Sequence, residues 1–200
     1  MTGQGWEDLT VDKKEVWKPG NMLYPVPAVL VSCAGSEGNK NILTVAWAGT
    51  VCSDPVMVSI SVRPERYSYS MIRETGEFVI NLTTRDLAYA ADWCGVKSGR
   101  DVDKFARMGL SAIASKTLEY APVIAESPLS LECRVQQVME LGSHHMFLAE
   151  VTAVQVSEKY LNENGKFELN KTGLVAYSHG EYFELGKKIG KFGYSVKKRR

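Results

Sequence analysis

The sequence predicts a mainly β domain, an antiparallel β-barrel with helices at its periphery. Three observations carry this reading. Strand-like apolar runs follow one another instead of alternating strictly with helices, which disfavours a doubly wound parallel sheet. Residues 56–62 alternate cleanly, with Val56, Val58, Ile60 and Val62 on one face and Met57, Ser59 and Ser61 on the other. Residues 129–139 and 146–156 are long enough to pair as neighbouring strands, and Gly142-Ser143 between them is turn chemistry.

Taken in chain order, residues 1–20 read as an arm of mixed charge ending at Lys18-Pro19-Gly20, ahead of a domain over 21–200. Residues 28–33 form a β-branched apolar run between Pro27 and Gly35. Residues 42–52 read as one long run broken at Gly49. A helix is expected over 67–74, where Gly76 suits a left-handed C-terminal cap. A strand over 78–82 leaves the turn Thr75-Gly76-Glu77. Two further helices are expected at 86–93, with Asp86 able to cap free N–H groups, and at 103–108, ended by Gly109. Residues 174–177 add a short last strand. No repeat, low-complexity segment or Pro/Ser-rich linker interrupts the chain, so one domain is the simplest organisation.

Composition narrows the function. Of 200 residues, 44% are apolar and 24% charged, enough to bury a substantial core. The formal net charge of +1 provides no global field for nucleic acid or a membrane surface. The terminal Lys197-Lys198-Arg199-Arg200 reads as a solvated tail or, alternatively, a docking patch. No apolar stretch approaches the ~18–20 residues that span a bilayer, and the first residues resemble no signal peptide. Cys33, Cys52, Cys94 and Cys133 form no C-x-x-C pair. They fit buried, reduced thiols in a cytoplasmic protein. The chain lacks G-x-G-x-x-G, the P-loop, G-x-S-x-G and H-E-x-x-H. Adjacent His144 and His145 on a strand would face opposite sides and make a poor metal pair. With no self-sufficient catalytic set, any catalysis must be borrowed from a cofactor.

Six segments occur in an order that resembles the flavin reductase-like family. They are Asn41-Ile42-Leu43-Thr44-Val45-Ala46-Trp47 with Ser53-Asp54-Pro55; Arg63-Pro64-Glu65-Arg66-Tyr67-Ser68; Gly76-Glu77-Phe78-Val79-Ile80-Asn81; Ser98-Gly99-Arg100-Asp101-Val102-Asp103-Lys104-Phe105; Gly142-Ser143-His144 with Glu150-Val151; and Tyr182-Phe183-Glu184-Leu185-Gly186 with Gly190-Lys191-Phe192-Gly193. The last is similar to the flavoredoxin branch. The resemblance implies an FMN-binding split barrel of antiparallel Greek-key type. It also implies a homodimer with FMN near the subunit interface, and either NAD(P)H or a redox protein partner as a source of electrons.

The resemblance further implies a set of FMN-binding residues. Asn41 would offer an amide, Thr44 and Ala46 would let the ligand approach the strand of which Val45 is part, and Trp47 would edge the ring. Thr50, Val51, Cys52 and Ser53, after a bend at Gly49, would present backbone groups to the pyrimidine side. Arg66 and Ser68 would open a phosphate-binding helix; Ser68 stands where relatives often carry Thr, and keeps the hydroxyl. Lys104 would favour the phosphate or a reduced, anionic flavin, His144 would donate a hydrogen bond, and Tyr177 would cover the ring. Each residue also has a plain reading: barrel packing for Thr44, Ala46, Trp47 and Tyr177, a helix cap for Ser68, and solvated or satisfied polar groups for Arg66, Lys104, His144 and His145. Three functions stay open: a flavoprotein oxidoreductase or electron carrier, a non-catalytic flavin-binding module, and a structural barrel without flavin.

Overall fold

A chain that must curl a sheet until its edges meet needs a very short link between those edges, and residues 46–47 are that link. The structure, a computed structural model, describes residues 12–196. The first eleven residues of the expected arm and the run Lys197-Lys198-Arg199-Arg200 lie outside the described residues. The elements are β1 (Val26–Pro27), β2 (Val29–Ala34), β3 (Lys40–Val45), β4 (Ala48–Ser53), β5 (Val56–Val62), α1 (Tyr67–Thr75), β6 (Glu77–Asn81), α2 (Ala88–Val96), α3 (Lys104–Met108), β7 (Ala112–Ile113), β8 (Val123–Ile124), β9 (Leu129–Glu140), β10 (His145–Val156), β11 (Val175–Ser178) and β12 (Glu181–Glu184).

Seven strands form one antiparallel sheet in the order β3-β2-β6-β9-β10-β5-β4. β3 and β4 are its two edges, yet only Ala46 and Trp47 separate them in the chain. Laid flat, seven strands would put those edges roughly 29 Å apart at about 4.8 Å per gap. Three Cα steps reach at most about 11 Å. The sheet therefore closes into a barrel, as expected from the succession of strands. The run expected over 42–52 is thus two strands, and the break falls at Ala46-Trp47, not at Gly49. Gly49 lies inside β4, paired with Ser59.

The alternation in β5 points Val58, Ile60 and Val62 into the barrel, where they meet Val29, Val31, Leu43, Val45, Phe78 and Phe147. α1 plugs this core with Met71 and Ile72, and Gly76, at φ 68, caps it as expected. β2 is buried along its whole length because its outer-face Leu30, together with Ile42 of β3, is covered by α2 and α3 through Ala91, Cys94 and Phe105. Burial on both faces explains its unbroken apolar sequence. Asp103 caps α3 by accepting from the Ala106 N–H at 3.1 Å. Asp86 caps nothing: it lies in a 3-10 turn over Arg85–Leu87 that leads into α2, and Leu87 precedes the helix without a side-chain cap. β1, β11 and β12 form a second small sheet, and β7 pairs with β8. Strands of two residues carry no readable period, so β1, β7 and β8 were not foreseen; β12 follows the expected last strand through a hairpin at His179-Gly180. Among the described residues no helix is long and apolar enough to cross a membrane.

Three buried polar side chains hold the segment between α3 and β9 onto the barrel. The Glu77 carboxylate accepts from the N–H groups of Glu119 and Tyr120 at 3.0 and 2.8 Å. Asn81 accepts from Ile124 N–H and Ser130 Oγ. Glu132, fully buried, accepts from the Lys116 and Thr117 N–H groups at 2.8 and 2.7 Å, from Thr117 Oγ1 and from Gln155 Nε2. Burial pushes the Glu132 carboxyl up, but these donors outweigh it and leave its pKa below the ordinary 4.5. A carboxylate with a depressed folded pKa stabilises above its unfolded pKa and loses that contribution as pH falls through the folded value. Replacing Glu132 by Gln should therefore cost about 3 kcal/mol near neutrality. Urea unfolding of both proteins should show the difference shrinking below pH 4.5; a difference independent of pH would remove the charge from the account.

Candidate functional site

A cluster of positive charge lies where α1 begins. A cleft of about 320 Å³ is lined by Asn41, Leu43, Arg63, Glu65, Arg66, Tyr67, Ser68, Val96, Lys97, Ser98, Gly99, Arg100 and Lys104. Five cationic side chains face a single carboxylate there. α1 opens onto the cleft with no side-chain cap and no acidic residue in its first turn. Its free N–H groups add to the positive field. Two arginines are held in place by backbone carbonyls. Arg66 donates to Gly95 O at 3.2 Å, and Arg100 donates to Glu65 O at 3.2 Å while lying over the Tyr67 ring at 5.4 Å. Each guanidinium keeps further N–H groups in its fork.

A second cavity of about 150 Å³ shares Leu43, Arg63 and Arg66 with the first and continues along Thr44, Val45, Ala46 and Trp47 to Ser61, Val62 and His144. Asn41, Thr44, Val45, Ala46, Trp47, Arg66, Ser68, Lys104 and His144, all singled out from the sequence, thus line two adjoining cavities. Thr50, Val51, Cys52, Ser53 and Tyr177 line neither. The first four run along β4, mostly exposed, with a bulge between Thr50 and Cys52 that leaves Val51 half exposed. Tyr177 packs edge-on against Tyr24 at 6.2 Å, and Tyr24 in turn lies 6.1 Å from Trp47, so Tyr177 is one ring removed from the cavity.

Several of these side chains are already engaged within the fold. Lys104 is buried, and its ammonium donates to Ile42 O at 2.8 Å and Cys94 O at 2.7 Å, tying β3 to the end of α2. Burial lowers its pKa; the Cys94 and Cys33 thiols partly offset this, and Arg66 adds to it. The Thr44 hydroxyl donates to Ala91 O, fastening the same helix. Val45 belongs to the barrel core. Asn41 donates to Ser68 Oγ at 2.8 Å, fixing the start of α1 against β3. His145 is bonded to the Tyr69 hydroxyl at 2.8 Å, the satisfied role expected for it. Its neighbour His144 sits at the cavity with Nδ1 3.0 Å from Ser143 Oγ. Its pKa is held below the ordinary value by burial and by Arg63 and Arg66, against a smaller pull from Glu65. Burial raises the Cys33 and Cys94 thiols to about 11 and Cys133 to about 12, so at neutral pH these three are inert small hydrophobes.

Sequence reasoning missed Arg63, Lys97 and Arg100 as cleft residues, and Gly99 beside them. A Cβ on Gly99 would lie 2.6 Å from Asn41 Cγ and 2.8 Å from Tyr67 Cδ1. The glycine lets the loop after α2 close over Asn41, and its place in Ser98-Gly99-Arg100 was the available signal. The donor set suits an anion: charge-assisted forks, a helix N-terminus and a backbone that can come close. Among the described residues no group of three His, Cys, Asp or Glu could hold a metal ion. Lys104→Met keeps the alkyl stem but orphans two buried carbonyls, so it should lower stability by about 3 kcal/mol in urea unfolding. An unchanged midpoint would show that water replaces the ammonium at no cost.

Residues 21–186 match the flavin reductase like domain. The flavoredoxin of Desulfovibrio vulgaris (Miyazaki F) is 31% identical, with a TM-score of 0.85 covering 92% of this chain and 100% of that one. The flavoredoxin of Methanosarcina acetivorans is 28% identical, with a TM-score of 0.83 covering 93% of this chain and 100% of that one. The high molecular weight rubredoxin of Moorella thermoacetica is 29% identical over 64% of this chain and 54% of that protein. Closed antiparallel barrel, cationic cleft and these likenesses agree: the chain belongs to the flavin reductase-like family, in its flavoredoxin-type, split-barrel branch.

Proposed function

We propose that this chain is an FMN-binding flavoprotein oxidoreductase of the flavoredoxin type. The observation that supports it most is that a cationic cleft and a smaller cavity lie side by side, with Leu43, Arg63 and Arg66 lining both. FMN has the complementary build, a phosphate dianion on a flexible polyol chain that ends in a flat tricyclic ring. When bound, FMN supplies the redox chemistry, accepting and returning one or two electrons.

In this reading the phosphate lies in the cleft. Arg66 and Arg100, each steadied by one carbonyl bond, turn their remaining N–H groups to its oxygens, with Lys97 and the first turn of α1 beside them. Asn41 acts through Ser68, holding the helix start in register. Lys104 contributes its charge from a fixed, buried position. Thr44, Val45 and Ala46 provide the strand backbone along which the ring lies, and Trp47 gives it an apolar edge. His144, whose pKa is lowered by burial and by Arg63 and Arg66, offers a hydrogen bond at the same cavity. We assign Thr50, Val51, Cys52, Ser53 and Tyr177 to closing the site in a homodimer, which sedimentation would test. A redox protein or NAD(P)H provides the electrons, and the partial match to a high molecular weight rubredoxin favours the former.

The test is the visible spectrum of the purified protein, followed by anaerobic addition of NADH and NADPH separately. Flavin bands lost to either nucleotide identify a reductase and its donor. Bands lost only to dithionite or a redox protein identify a carrier or a storage module. No bands after incubation with FMN would refute the reading. Arg66→Ala should raise the Kd for FMN by about 10–100-fold, the loss of one charge-assisted contact. Riboflavin, which lacks the phosphate, should bind variant and parent alike; an equal loss for both ligands would move Arg66 away from the phosphate.

A further inference from the structure

Beside the site, at the tip of the β9–β10 hairpin, four polar side chains from three elements meet. The Tyr69 hydroxyl of α1 lies 2.8 Å from His145 Nδ1 of β10 and accepts from an Arg73 N–H at 3.0 Å. Arg73 also lies 3.4 Å from the Glu140 carboxylate of β9, which stands 4.0 Å from His145 Nδ1. The Tyr69 and His145 rings meet edge to face at 5.4 Å, and the His145 side chain is 15% exposed. Val62, its partner on β5, brings no charge. Because Arg73 occupies the acceptor side of the phenol oxygen, the phenol proton is directed at Nδ1, which is then the unprotonated ring nitrogen.

We propose that His145 is a proton-linked positioning residue for the phosphate end of the site, acting through Tyr69. The first turn of α1 is pinned at two adjacent residues: Asn41 ties Ser68 to β3, and His145 ties Tyr69 to β10. The first pin contains no titrating group. The second contains an imidazole, the side chain that changes charge between about pH 5 and 8. Protonation turns Nδ1 from an acceptor into a donor, so the phenol can no longer donate to it. The imidazolium is drawn instead to the Glu140 carboxylate, and Tyr69 is released. The helix start, with Arg66 at its cap and Ser68 in its first turn, then loses one of its two restraints. Anion binding there weakens on acidification, the opposite of what the added positive charge alone would produce. His145 lines neither cavity, so its effect passes through its neighbours. The inference rests on reading the cleft as the FMN phosphate site.

The experiment is a fluorescence titration of the full chain with FMN, comparing the parent with His145→Asn, whose amide oxygen accepts from Tyr69 at any pH. The FMN phosphate and His144 titrate in both proteins, so the ratio of the two Kd values isolates His145. We expect the parent's Kd, relative to that of His145→Asn, to rise about fivefold between pH 8 and pH 5.5, the loss of one ordinary hydrogen bond. In a Tyr69→Phe background the same comparison should show no rise. Riboflavin, which lacks the phosphate, should keep the ratio within about twofold. The inference is overturned by a ratio that stays constant or falls on acidification, by a rise that persists with Tyr69→Phe, or by an equal rise for riboflavin. A second readout needs no flavin. In the flavin-free chain the amide NMR signals of residues 67–70 should shift with the midpoint of the His145 imidazole, and should not follow that midpoint in His145→Asn. Amides that ignore His145 also overturn the inference. Amides that follow it in a chain that binds no FMN would sink the flavin reading and leave the proton-linked helix start standing.

Discussion

Everything that positions the site follows from the two residues that carry the chain from one edge of the sheet to the other. A link that short forces closure, and closure bends the backbone sharply between β3 and β4. Trp47 sits at that joint, its carbonyl accepting from Ser61 N–H at 2.9 Å so that pairing with β5 runs on through the bend. A side chain at such a joint belongs to neither face of a regular sheet. It stands between two spaces instead, which is why the indole borders both the smaller cavity and an apolar groove lined by Leu23, Val26 and Ala48. The same closure brings β3 under α2, where the Thr44 hydroxyl and the Lys104 ammonium fasten helix to strand.

The electrostatics of the cleft show how a chain of net charge +1 creates a strongly positive locality. Four cations remain accessible there, and the fold restrains them with dipoles more than with counter-charges: carbonyls of Gly95 and Glu65 hold Arg66 and Arg100, and only Glu65 pairs with Arg63. Carbonyls orient a guanidinium without cancelling its field. Such preorganised charge is costly without an anion and favourable with one. The buried Lys104 belongs to the same design, its desolvation offset by two short bonds to carbonyls.

Much of the fold was legible because the hydrophobic period is local. The alternation in residues 56–62 fixes β5 to the residue, and Gly76 and Gly109 end α1 and α3 at left-handed φ values as their chemistry demands. The break in the run over 42–52 was misplaced because closure, not composition, sets it. Of the site, Asn41, Trp47, Arg66 and His144 were legible through their motifs. Arg63, Lys97 and Arg100 were not, since a charge in a turn looks the same whether it faces solvent or a cleft. Nor could the sequence reveal that Lys104 is engaged by the carbonyls of Ile42 and Cys94, because a backbone acceptor leaves no signature in residue identity. Thr50, Val51, Cys52, Ser53 and Tyr177 stand away from the single chain's cavities for a related reason: strand register is local, while the surface a strand faces is global.

The carboxylates of Glu77 and Glu132 grip the segment before β8 by its amide hydrogens. Leu118 and Ala121 pack beneath it, but Lys116, Glu119 and Tyr120 are held by N–H groups that every residue except proline possesses. The exposed positions Lys116 and Glu119 can therefore exchange side chains while the trace of the backbone stays fixed. The barrel thus carries a ready-made display platform, on which short recognition sequences could be grafted at a defined orientation, outside the lining of the cationic cleft, with proline as the one forbidden letter.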